Sequence, residues 1–330
     1  MASPVLRIGL IGNGTVGAAF AAALTGSADR IARRLPVRLR LTQVAVLHPD
    51  RHAATPSGAR LHDDAAALAA DPAIDIVVEA SGDPGAGRWL RAALTRGAAA
   101  VSANKLAIAS DRWLLEALAR REPLLQCEAA VAAAVPIVRA LRDSLDCEEI
   151  LDIRGVLNGT TTFILSQIEN GARFGEALDR AREFGYAEAD ASADLSGQDA
   201  AAKLAILATL AWQNAVTLDA VSTRGIDDNI ADVVRIAASH GERVRLVAEA
   251  WQDGALHLAV SPKILAAGDR LAQSEGVTNV VEVRSSLAGS LTWFGPGAGG
   301  RHTASALLGD LLVAARALTG APLAAGRHAA

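Results

Sequence analysis

A lysine inside an apolar stretch of the chain is the residue best suited by type and spacing to proton transfer. Every residue of Ala200–Trp212 is apolar except Lys203 and Thr209. A helix that is apolar on nearly all faces is expected to be buried, and a buried lysine is rare unless it is paired. Asp199 stands one turn earlier, so a helix places the two side chains on one face. A paired ammonium can stabilise negative charge on a reacting oxygen and give it a proton. The spacing fits a structural arrangement equally well, because Ser196 and Asp199 form a capping-box pattern.

The segment before this helix is rich in carboxylates. Glu188, Asp190 and Asp194 lie within a short stretch that begins at Gly185. Negative charges this close repel one another unless cations neutralise them, and a substrate ammonium together with lysines would do so. The loop therefore favours a functional pair over a structural one, and it predicts binding of a small cationic substrate, with Gly185, Glu188, Asp194 and Asp199 as candidate binding residues.

Lys105 is a second lysine at a position where chemistry is expected. It follows the apolar run Ala98–Ser102, which reads as a strand, in the segment Ser102-Ala103-Asn104-Lys105. Ligands of open α/β sheets bind at the carboxyl ends of the strands. Ser81 follows an earlier strand and shares that edge, where it would touch the ribose of a nicotinamide. By position alone Lys105 also fits an ordinary exposed loop lysine.

A glycine fingerprint follows the first apolar run of the chain. Gly12 permits a tight turn, Gly14 lets a pyrophosphate approach the backbone, and Gly17 allows close packing of helix against strand. The helix N-terminus then offers free N–H groups and its positive dipole end to the phosphates. Together with Lys105, this turn indicates a dehydrogenase. The candidate cofactor-binding residues of the turn are Gly12, Gly14, Thr15, Val16 and Gly17.

The end of the second predicted strand does not decide between NAD and NADP. An acidic residue there usually holds the adenine ribose. Asp50 would serve that purpose and favour NAD, whereas Arg51 or Arg60 would hold a 2′-phosphate and favour NADP. A solvated turn explains Asp50 and Arg51 equally well, and Arg51 is carried as a candidate cofactor-binding residue.

The first 130 residues alternate short apolar runs with helical patterns. This alternation predicts parallel strands joined by helical crossovers, that is, an α/β fold with a doubly wound Rossmann-type sheet. The predicted strands are Val5–Ile11, Leu39–Val46, Asp75–Ala80, Ala98–Ser102 and Leu124–Glu128, and the predicted helices include Val16–Leu24, Ala86–Arg96 and Arg112–Arg120.

The pattern after Pro136 is less regular and predicts an α+β domain for substrate binding and dimerisation. We expect residues 1–130 with 303–330 to form the dinucleotide-binding domain and residues 131–302 the second one. The predicted elements are helices at Pro136–Leu145, Phe163–Asn170, Phe174–Phe184, Gly197–Trp212 and Thr303–Leu318, and strands at Glu149–Leu157 and near Arg243–Trp251, Ala255–Val260 and Val280–Val283.

Composition narrows the class of protein. A chain of 330 residues is long enough for two domains, and a net charge of −4 gives no reason to expect nucleic-acid or membrane partners. The longest apolar stretch, Leu204–Leu218, contains Gln213 and Asn214 and is short for a membrane span. No secretory signal pattern follows Met1, and only two cysteines are present, so a reducing cytoplasm is the simpler expectation.

With these residues assembled, the chain resembles the homoserine dehydrogenases over nearly its whole length. The glycine fingerprint alone would not single out that family, but the turn at Asn158 and the acidic loop with its aspartate–lysine pair do so together. The motifs that carry the resemblance, in chain order, are the fingerprint, Ser102–Lys105, Glu128–Val131 followed by Pro136, Gly155–Thr161, Gly185–Asp190, Asp194–Asp199 with Lys203, and the glycine-rich run Gly295–Gly300.

The resemblance implies interconversion of L-aspartate 4-semialdehyde and L-homoserine with NADPH or NADH, on the route to threonine and methionine. In the family, residues matching Glu188 and Asp199 bind the substrate, and the residue matching Lys203 is the proposed proton donor. The residue matching Lys105 lies between cofactor and substrate and is also put forward as catalytic. A homodimer is implied, and a C-terminal regulatory ACT domain is not expected. Cofactor contacts carry over to Val16, Ser81, Lys105 and Gly185, and Gly299 is a further candidate.

The resemblance also implies a sodium ion held by backbone oxygens at Glu128, Val131, Ala133 and Val135. The chain departs from the family here, because alanines occupy 132–134 where glycines are usual, and their methyl groups restrict the backbone.

Further departures are Thr162, Ala191 and Leu47, in place of the usual asparagine, proline and arginine. They leave room for a related dehydrogenase acting on another amino or hydroxy acid. A non-catalytic dinucleotide sensor is a separate alternative, and the presence of both lysines and the acidic loop argues against it.

Overall fold

The computed structural model describes residues 4–51 and 58–320. It divides into two compact units, one within Met1–Ala133 and Gly299–Ala330 and the other Ala134–Ala298. The sequence-based boundaries, after residues 130 and 302, lie within a few residues of these. No helix in the described ranges combines the length and the apolarity needed to cross a membrane.

The first unit contains a six-stranded parallel sheet with the strand order β3-β2-β1-β4-β5-β6. This is the order of dinucleotide-binding sheets, in which the order reverses at the first strand and leaves a crevice at the carboxyl ends. The predicted doubly wound α/β fold is therefore confirmed. The three-residue strand β3 was not predicted, because it lies at a half-exposed edge and has no apolar run. The strands are β1 (Val5–Ile11), β2 (Arg38–Ala45), β3 (Arg60–His62), β4 (Ile76–Glu79), β5 (Ala99–Ser102) and β6 (Leu125–Gln126).

Helices cover both faces of this sheet. On one face Ile8 and Leu10 pack with Phe20 of the first helix and with Leu307 of the last, and on the other Ile11 packs with a separate apolar cluster. Burial on both faces explains why β1, β4 and β5 read as continuous apolar runs. The helices are α1 (Thr15–Gly26), α2 (Ala28–Ala32), α3 (Ala65–Ala70), α4 (Gly87–Thr95), α5 (Lys105–Ala109), α6 (Arg112–Ala119), α7 (Glu128–Val131) and the C-terminal helix (Gly300–Thr319).

The second unit contains a mixed six-stranded sheet in the order β12-β11-β7-β9-β10-β8. All neighbours are antiparallel except β8 and β10. The strand β12 was not predicted, because glycines and a proline at its ends read as a loop. The strands are β7 (Ile150–Val156), β8 (Ser222–Thr223), β9 (Arg243–Gln252), β10 (Leu256–Leu265), β11 (Thr278–Ser285) and β12 (Gly289–Pro296).

The helices of the second unit include one that carries the predicted catalytic pair. In α12 every residue from Asp199 to Leu210 is buried, as the apolar sequence predicted. The predicted helix at Pro136–Leu145 is a short α-helical turn that continues as a π-helical segment, Ala140–Ser144. The helices are α8 (Ile137–Arg139), α9 (Gly159–Glu169), α10 (Phe174–Glu183), α11 (Ser192–Leu195), α12 (Gln198–Trp212) and α13 (Ile230–Ser239).

Candidate functional site

The glycine fingerprint forms the turn from β1 into α1, and each glycine has a separate physical reason. Gly12 has φ +91°, and a Cβ there would lie 2.5 Å from the Cα of Ser81. A Cβ on Gly17 would lie 2.0 Å from the carbonyl oxygen of Gly12. Gly14 is different, because nothing lies within 4 Å of its Cβ position. Two glycines are thus required by packing, while the third borders open space.

The N-terminus of α1 can receive an anion. Gly14 is its N-cap residue, no side chain caps the helix, and the first turn contains no acidic residue. The first N–H groups of a helix have no partner within the helix, and together with the helix dipole they attract phosphate. The open space at Gly14 and this uncapped N-terminus fit the pyrophosphate of a dinucleotide.

The glycine-rich run reaches the same turn. Gly299 has φ +109°, and a Cβ on Gly300 would lie 2.9 Å from the carbonyl oxygen of Thr15. The start of the C-terminal helix therefore packs on the start of α1, beside the proposed pyrophosphate position. Gly299 stays a candidate cofactor contact on this ground.

The loops after β4 and β5 are joined by hydrogen bonds. The carboxylate of Glu79 accepts from the Ser81 N–H at 2.8 Å and from the Ser102 hydroxyl at 2.7 Å. The Asn104 amide donates to the carbonyl of Asp83 at 2.7 Å. Because these residues follow adjacent strands, the hydrogen bonds set the shape of the carboxyl edge of the sheet. Sequence reasoning identified Ser81 on this edge but missed Glu79, which it read as part of a buried strand.

Lys105 is the first residue of α5 and is half-buried. The Asn104 side chain caps this helix by accepting the N–H of Ala107 at 3.0 Å. A cation at a helix N-terminus opposes the helix dipole, so helical stability does not explain a lysine here. Its place at the ligand-binding edge of the sheet supports the functional interpretation.

The residues that would distinguish NAD from NADP lie in and beside a 3-10 turn, Pro49–Arg51, after β2. Asp50 and Arg51 are both exposed, so each can reach a ligand. Residues 52–57 of the same loop lie outside the described part of the chain. The preference between the two cofactors stays open.

The second unit places Asp199 and Lys203 in direct contact. The Lys203 Nζ lies 2.7 Å from the Asp199 Oδ2 and donates to the carbonyl oxygen of Leu157 at 2.7 Å. Both side chains are about nine-tenths buried. The capping-box alternative is absent from the described structure, because Gly197, with φ +84°, is the N-cap residue and its helix has no side-chain cap. The pair is thus a buried ion pair in an apolar helix.

Asn158 joins this pair to a second carboxylate. Its amide nitrogen donates to Asp194 Oδ1 at 2.6 Å and to Asp199 Oδ2 at 2.9 Å, and its oxygen caps α9 by accepting the Thr161 N–H. Burial raises the pKa of Asp194 and the charge of Asp199 raises it further, against the hydrogen bond from Asn158. Asn158 belongs to a motif singled out in the sequence, but its bridging role requires folding to bring it to the distant segment of Asp194 and Asp199.

The other acidic residues of the loop stay outside this cluster. Glu188 is exposed, and Asp190 is exposed with its pKa lowered by hydrogen bonds from Ser192. Gly185 ends α10 with φ +71°. The carbonyl of the next residue, Tyr186, accepts a 2.6 Å hydrogen bond from Thr160, which holds the loop against α9. Of the predicted substrate residues, the structure therefore brings together Asp194 and Asp199, and it leaves Glu188 exposed.

Two family models together cover most of the chain. The model described as homoserine dehydrogenase matches residues 136–312, and the model of the NAD-binding domain of homoserine dehydrogenase matches residues 12–131. The chain belongs to the homoserine dehydrogenase family. As a member of this family it is an NAD(P)-dependent oxidoreductase, as the motifs predicted.

Two proteins named homoserine dehydrogenase are similar to this chain over almost its whole length. The homoserine dehydrogenase of Neisseria gonorrhoeae is 35% identical, with 94% of this chain and 72% of that protein aligned. That of Corynebacterium glutamicum is 38% identical over the same shares.

Solved structures agree with these relatives. A homoserine dehydrogenase from Thiobacillus denitrificans has a TM-score of 0.89 at 33% identity, covering 97% of this chain and 76% of that one. A hyperthermophilic archaeal homoserine dehydrogenase in complex with NADPH has a TM-score of 0.77 at 25% identity, covering 97% and 99%.

In this homoserine dehydrogenase, Asn279 shares a hydrogen-bond acceptor with Lys203, and sequence reasoning missed it. It lies on β11, is 1% exposed, and donates to the carbonyl of Leu157 at 3.2 Å, the same oxygen that Lys203 contacts. A Cβ on Gly297 would lie 2.0 Å from the Asn279 carboxamide carbon. Part of the glycine-rich run is thus explained by close approach to Asn279. Only the pairing of β11 with β7 and β12 reveals this contact.

The predicted ion-binding segment keeps a glycine-like backbone despite its alanines. Ala133 has φ +46°, in the left-handed region that glycine adopts without strain, whereas Ala132 has φ −130°. The N–H of Glu128 is bound to the carboxylate of Asp310 at 2.8 Å. The left-handed residue shows that the loop turns as a glycine would allow, although a methyl group is present.

Proposed function

We propose that the chain interconverts L-aspartate 4-semialdehyde and L-homoserine, with Lys203 as the proton donor to the aldehyde oxygen. The observation that carries this proposal is the buried pair of Lys203 and Asp199 in an otherwise apolar helix. An ammonium in so dry a site interacts strongly with charge that develops on a reacting oxygen. Asp199 and the Leu157 carbonyl orient the ammonium from two sides.

Substrate recognition is assigned to the carboxylates of the acidic loop and its neighbours. Glu188, which is exposed, would hold the substrate ammonium. Asp194 and Asp199 would bind the substrate from the buried side, with Asn158 keeping them at a fixed separation. Gly185 would contribute backbone groups.

Cofactor binding is assigned to the turn of β1 and α1 and to the edge residues of the first unit. The bound nicotinamide cofactor supplies or accepts the hydride. The N–H groups of the first turn of α1 would bind the pyrophosphate, and Ser81 would bind the nicotinamide ribose. Lys105 would position the carboxamide end or share the stabilisation of charge. Asp50 and Arg51 remain the two candidates for the adenine ribose, so NAD and NADP are both retained.

The alternative of a different substrate is weakened by the position of Thr162. This residue replaces the usual asparagine, but its hydroxyl donates to the Asn158 carbonyl at 2.8 Å and it is 1% exposed. The substitution is absorbed inside α9 and leaves the bridge from Asn158 intact.

The test is oxidation of L-homoserine by the purified protein with NADP and with NAD at alkaline pH. Reduction of either cofactor supports the assignment, and comparison of Asp50→Ala with Arg51→Ala identifies the residue behind the preference. Oxidation of another amino alcohol or hydroxy acid in preference to homoserine would favour the altered-substrate alternative. Dinucleotide binding with no turnover on any of them would favour the sensor.

Three finer points belong to the same proposal. A homodimer formed through the second unit is supported by large apolar side chains exposed there, such as Ile264 and Phe294, and is tested by light scattering. A cytoplasmic location is supported by Cys127 and Cys147, neither of which forms a disulfide. A sodium ion on the carbonyls of residues 128, 131, 133 and 135 is supported by the glycine-like Ala133, and is tested by activity in sodium-free potassium buffers.

A further inference from the structure

Glu79 is a fully buried carboxylate at the carboxyl end of β4. One of its oxygens accepts hydrogen bonds from the N–H and the hydroxyl of Ser81, at 2.8 and 2.7 Å. The other accepts from the hydroxyl of Ser102 at 2.7 Å. The two oxygens thus bind the loops that follow two different strands.

Packing alone does not account for a carboxylate at this position. Burying an ionised group is costly unless hydrogen bonds and charges compensate it. The three residues before Glu79 in β4 are Ile76, Val77 and Val78, all fully buried, and another apolar residue would continue that pattern. The partners of Glu79 in the described residues are hydroxyl and amide donors. The reason for a carboxylate at position 79 therefore lies in the segments that carry these donors.

Each donor belongs to a segment with a proposed role in catalysis or cofactor binding. Gly12 of the fingerprint packs against the backbone of Ser81, and a Cβ on Gly12 would lie 2.5 Å from the Ser81 Cα. The Ser102 oxygen accepts the N–H of Asn104 at 3.0 Å, and Asn104 directly precedes Lys105. A single carboxylate therefore sets the position of the Ser81 turn relative to the segment that presents Lys105.

We propose that Glu79 is a positioning residue for Lys105 and for the Ser81 turn, which it holds at a fixed separation on the cofactor-binding edge. This inference rests on the proposed functions of Lys105 and Ser81. Misplacement of a reacting group by about 1 Å can reduce turnover roughly a hundredfold, so a tether of this kind has a measurable effect.

The two oxygens can be separated by substitution. In Glu79→Gln the amide oxygen must face Ser81, because a backbone N–H can only donate, so the NH2 group faces Ser102. The NH2 group can donate to the Ser102 hydroxyl oxygen, so Glu79→Gln reverses this hydrogen bond while the Ser81 contacts persist. Ser102→Ala removes the tether to Ser102 alone, and Glu79→Ala removes both tethers.

The experiment combines turnover with dinucleotide binding. We expect Ser102→Ala to lower kcat for homoserine oxidation roughly tenfold or more and Glu79→Gln to lower it by less, because the glutamine keeps a reversed hydrogen bond. The double variant Glu79→Ala with Ser102→Ala should be no worse than Glu79→Ala. Fluorescence titration with NADPH and NADH should give a near-normal Kd for Glu79→Gln and for Ser102→Ala. Glu79→Ala should raise that Kd roughly tenfold, because the Ser81 turn is released as well.

The matched control is Thr42→Val, which removes a side-chain hydrogen bond to the Ile8 carbonyl elsewhere in the same sheet. Thr42→Val should lower Tm about as much as the Glu79 and Ser102 variants do, and it should leave kcat and Kd unchanged. Normal kcat in Ser102→Ala, additive effects in the double variant, or equal Kd values for the Gln and Ala variants would each overturn the inference. If Glu79→Gln does not fold, the kcat of Ser102→Ala alone tests the effect of the tether on turnover.

A wild-type protein that fails to oxidise homoserine would refute the proposed function and not the tether. The comparison of Kd between Glu79→Gln and Glu79→Ala does not depend on turnover. It tests the role of Glu79 in either case.

Discussion

Replacement of Lys203 by methionine separates the structural and chemical parts of the buried ion pair. The change keeps the apolar stem but leaves the Asp199 carboxylate about nine-tenths buried with its cation gone. Breaking a buried pair from one side costs about 3–5 kcal/mol, because one charge stays uncompensated. The bond from Asn158 to Asp199 offsets part of this, so we expect a loss near the lower limit, about 3 kcal/mol.

The double variant Lys203→Met with Asp199→Asn removes the charge as well as its partner. The amide can still accept from Asn158, and the Leu157 carbonyl keeps the hydrogen bond from Asn279. Most of the lost stability should therefore return, to within about 1 kcal/mol of the wild-type protein. Turnover should not return, because no group remains to protonate the oxygen, and kcat should stay about 10²–10⁴-fold below the wild-type value.

Urea unfolding of both variants and steady-state oxidation of homoserine test these expectations. Thr209→Val is the matched control, since it removes a buried hydrogen bond to Val216 from the same helix without touching the pair. Near-normal turnover in either Lys203 variant would refute the assignment of the proton donor. A double variant as unstable as the single one would refute the argument from the buried charge.

Three further predictions concern the turn, the alanine loop and the acidic cluster. Gly14→Ala should fold normally but weaken NADPH binding in a fluorescence titration, because its Cβ position is open in the protein and close to the proposed pyrophosphate; the helical Gly26→Ala, equally open, should not change the Kd. Ala133→Gly should raise the free energy of unfolding by up to about 1 kcal/mol by relieving the left-handed φ of +46°, whereas Ala132→Gly, at φ −130°, should lower it, as urea titrations would show. Because burial raises the pKa of Asp194 above its unfolded value, ionised Asp194 opposes folding above that pKa, so Asp194→Asn should be more stable than the wild-type protein near neutral pH. This advantage should shrink as the pH falls through the raised pKa toward the ordinary aspartate value; an advantage that is independent of pH would contradict the raised pKa.

Local patterns predicted the elements whose sequence is periodic and apolar. β1 begins and ends where expected, and the burial of α12 followed from its composition. The helix α13 was missed although its sequence is amphipathic. The strands that were missed are short or polar, such as β3, or bounded by glycine and proline, such as β12. Their strand character depends on pairing with a neighbour, which a single window of sequence does not contain.

The candidate site divides in the same way. Spacing within one helix was enough to predict contact between Asp199 and Lys203, since residues four apart share a face. The bridge made by Asn158 joins it to Asp194 and Asp199, which lie 36 and 41 residues further along the chain. No periodicity links such positions, so neither this bridge nor the tether at Glu79 could be read from the chain.

The sequence by itself determined the dinucleotide-binding sheet, the family and the choice of Lys105 and Lys203 as candidate catalytic residues. Each of these depends on residue types within a short motif. Tertiary structure decided which acidic residues surround Lys203 and which stay in solvent. Asp194 and Asp199 are drawn in by the amide of Asn158, while Asp190 is satisfied by its own turn. The physical reason is that a buried carboxylate must find hydrogen-bond donors, and folding alone brings donors from distant segments to it.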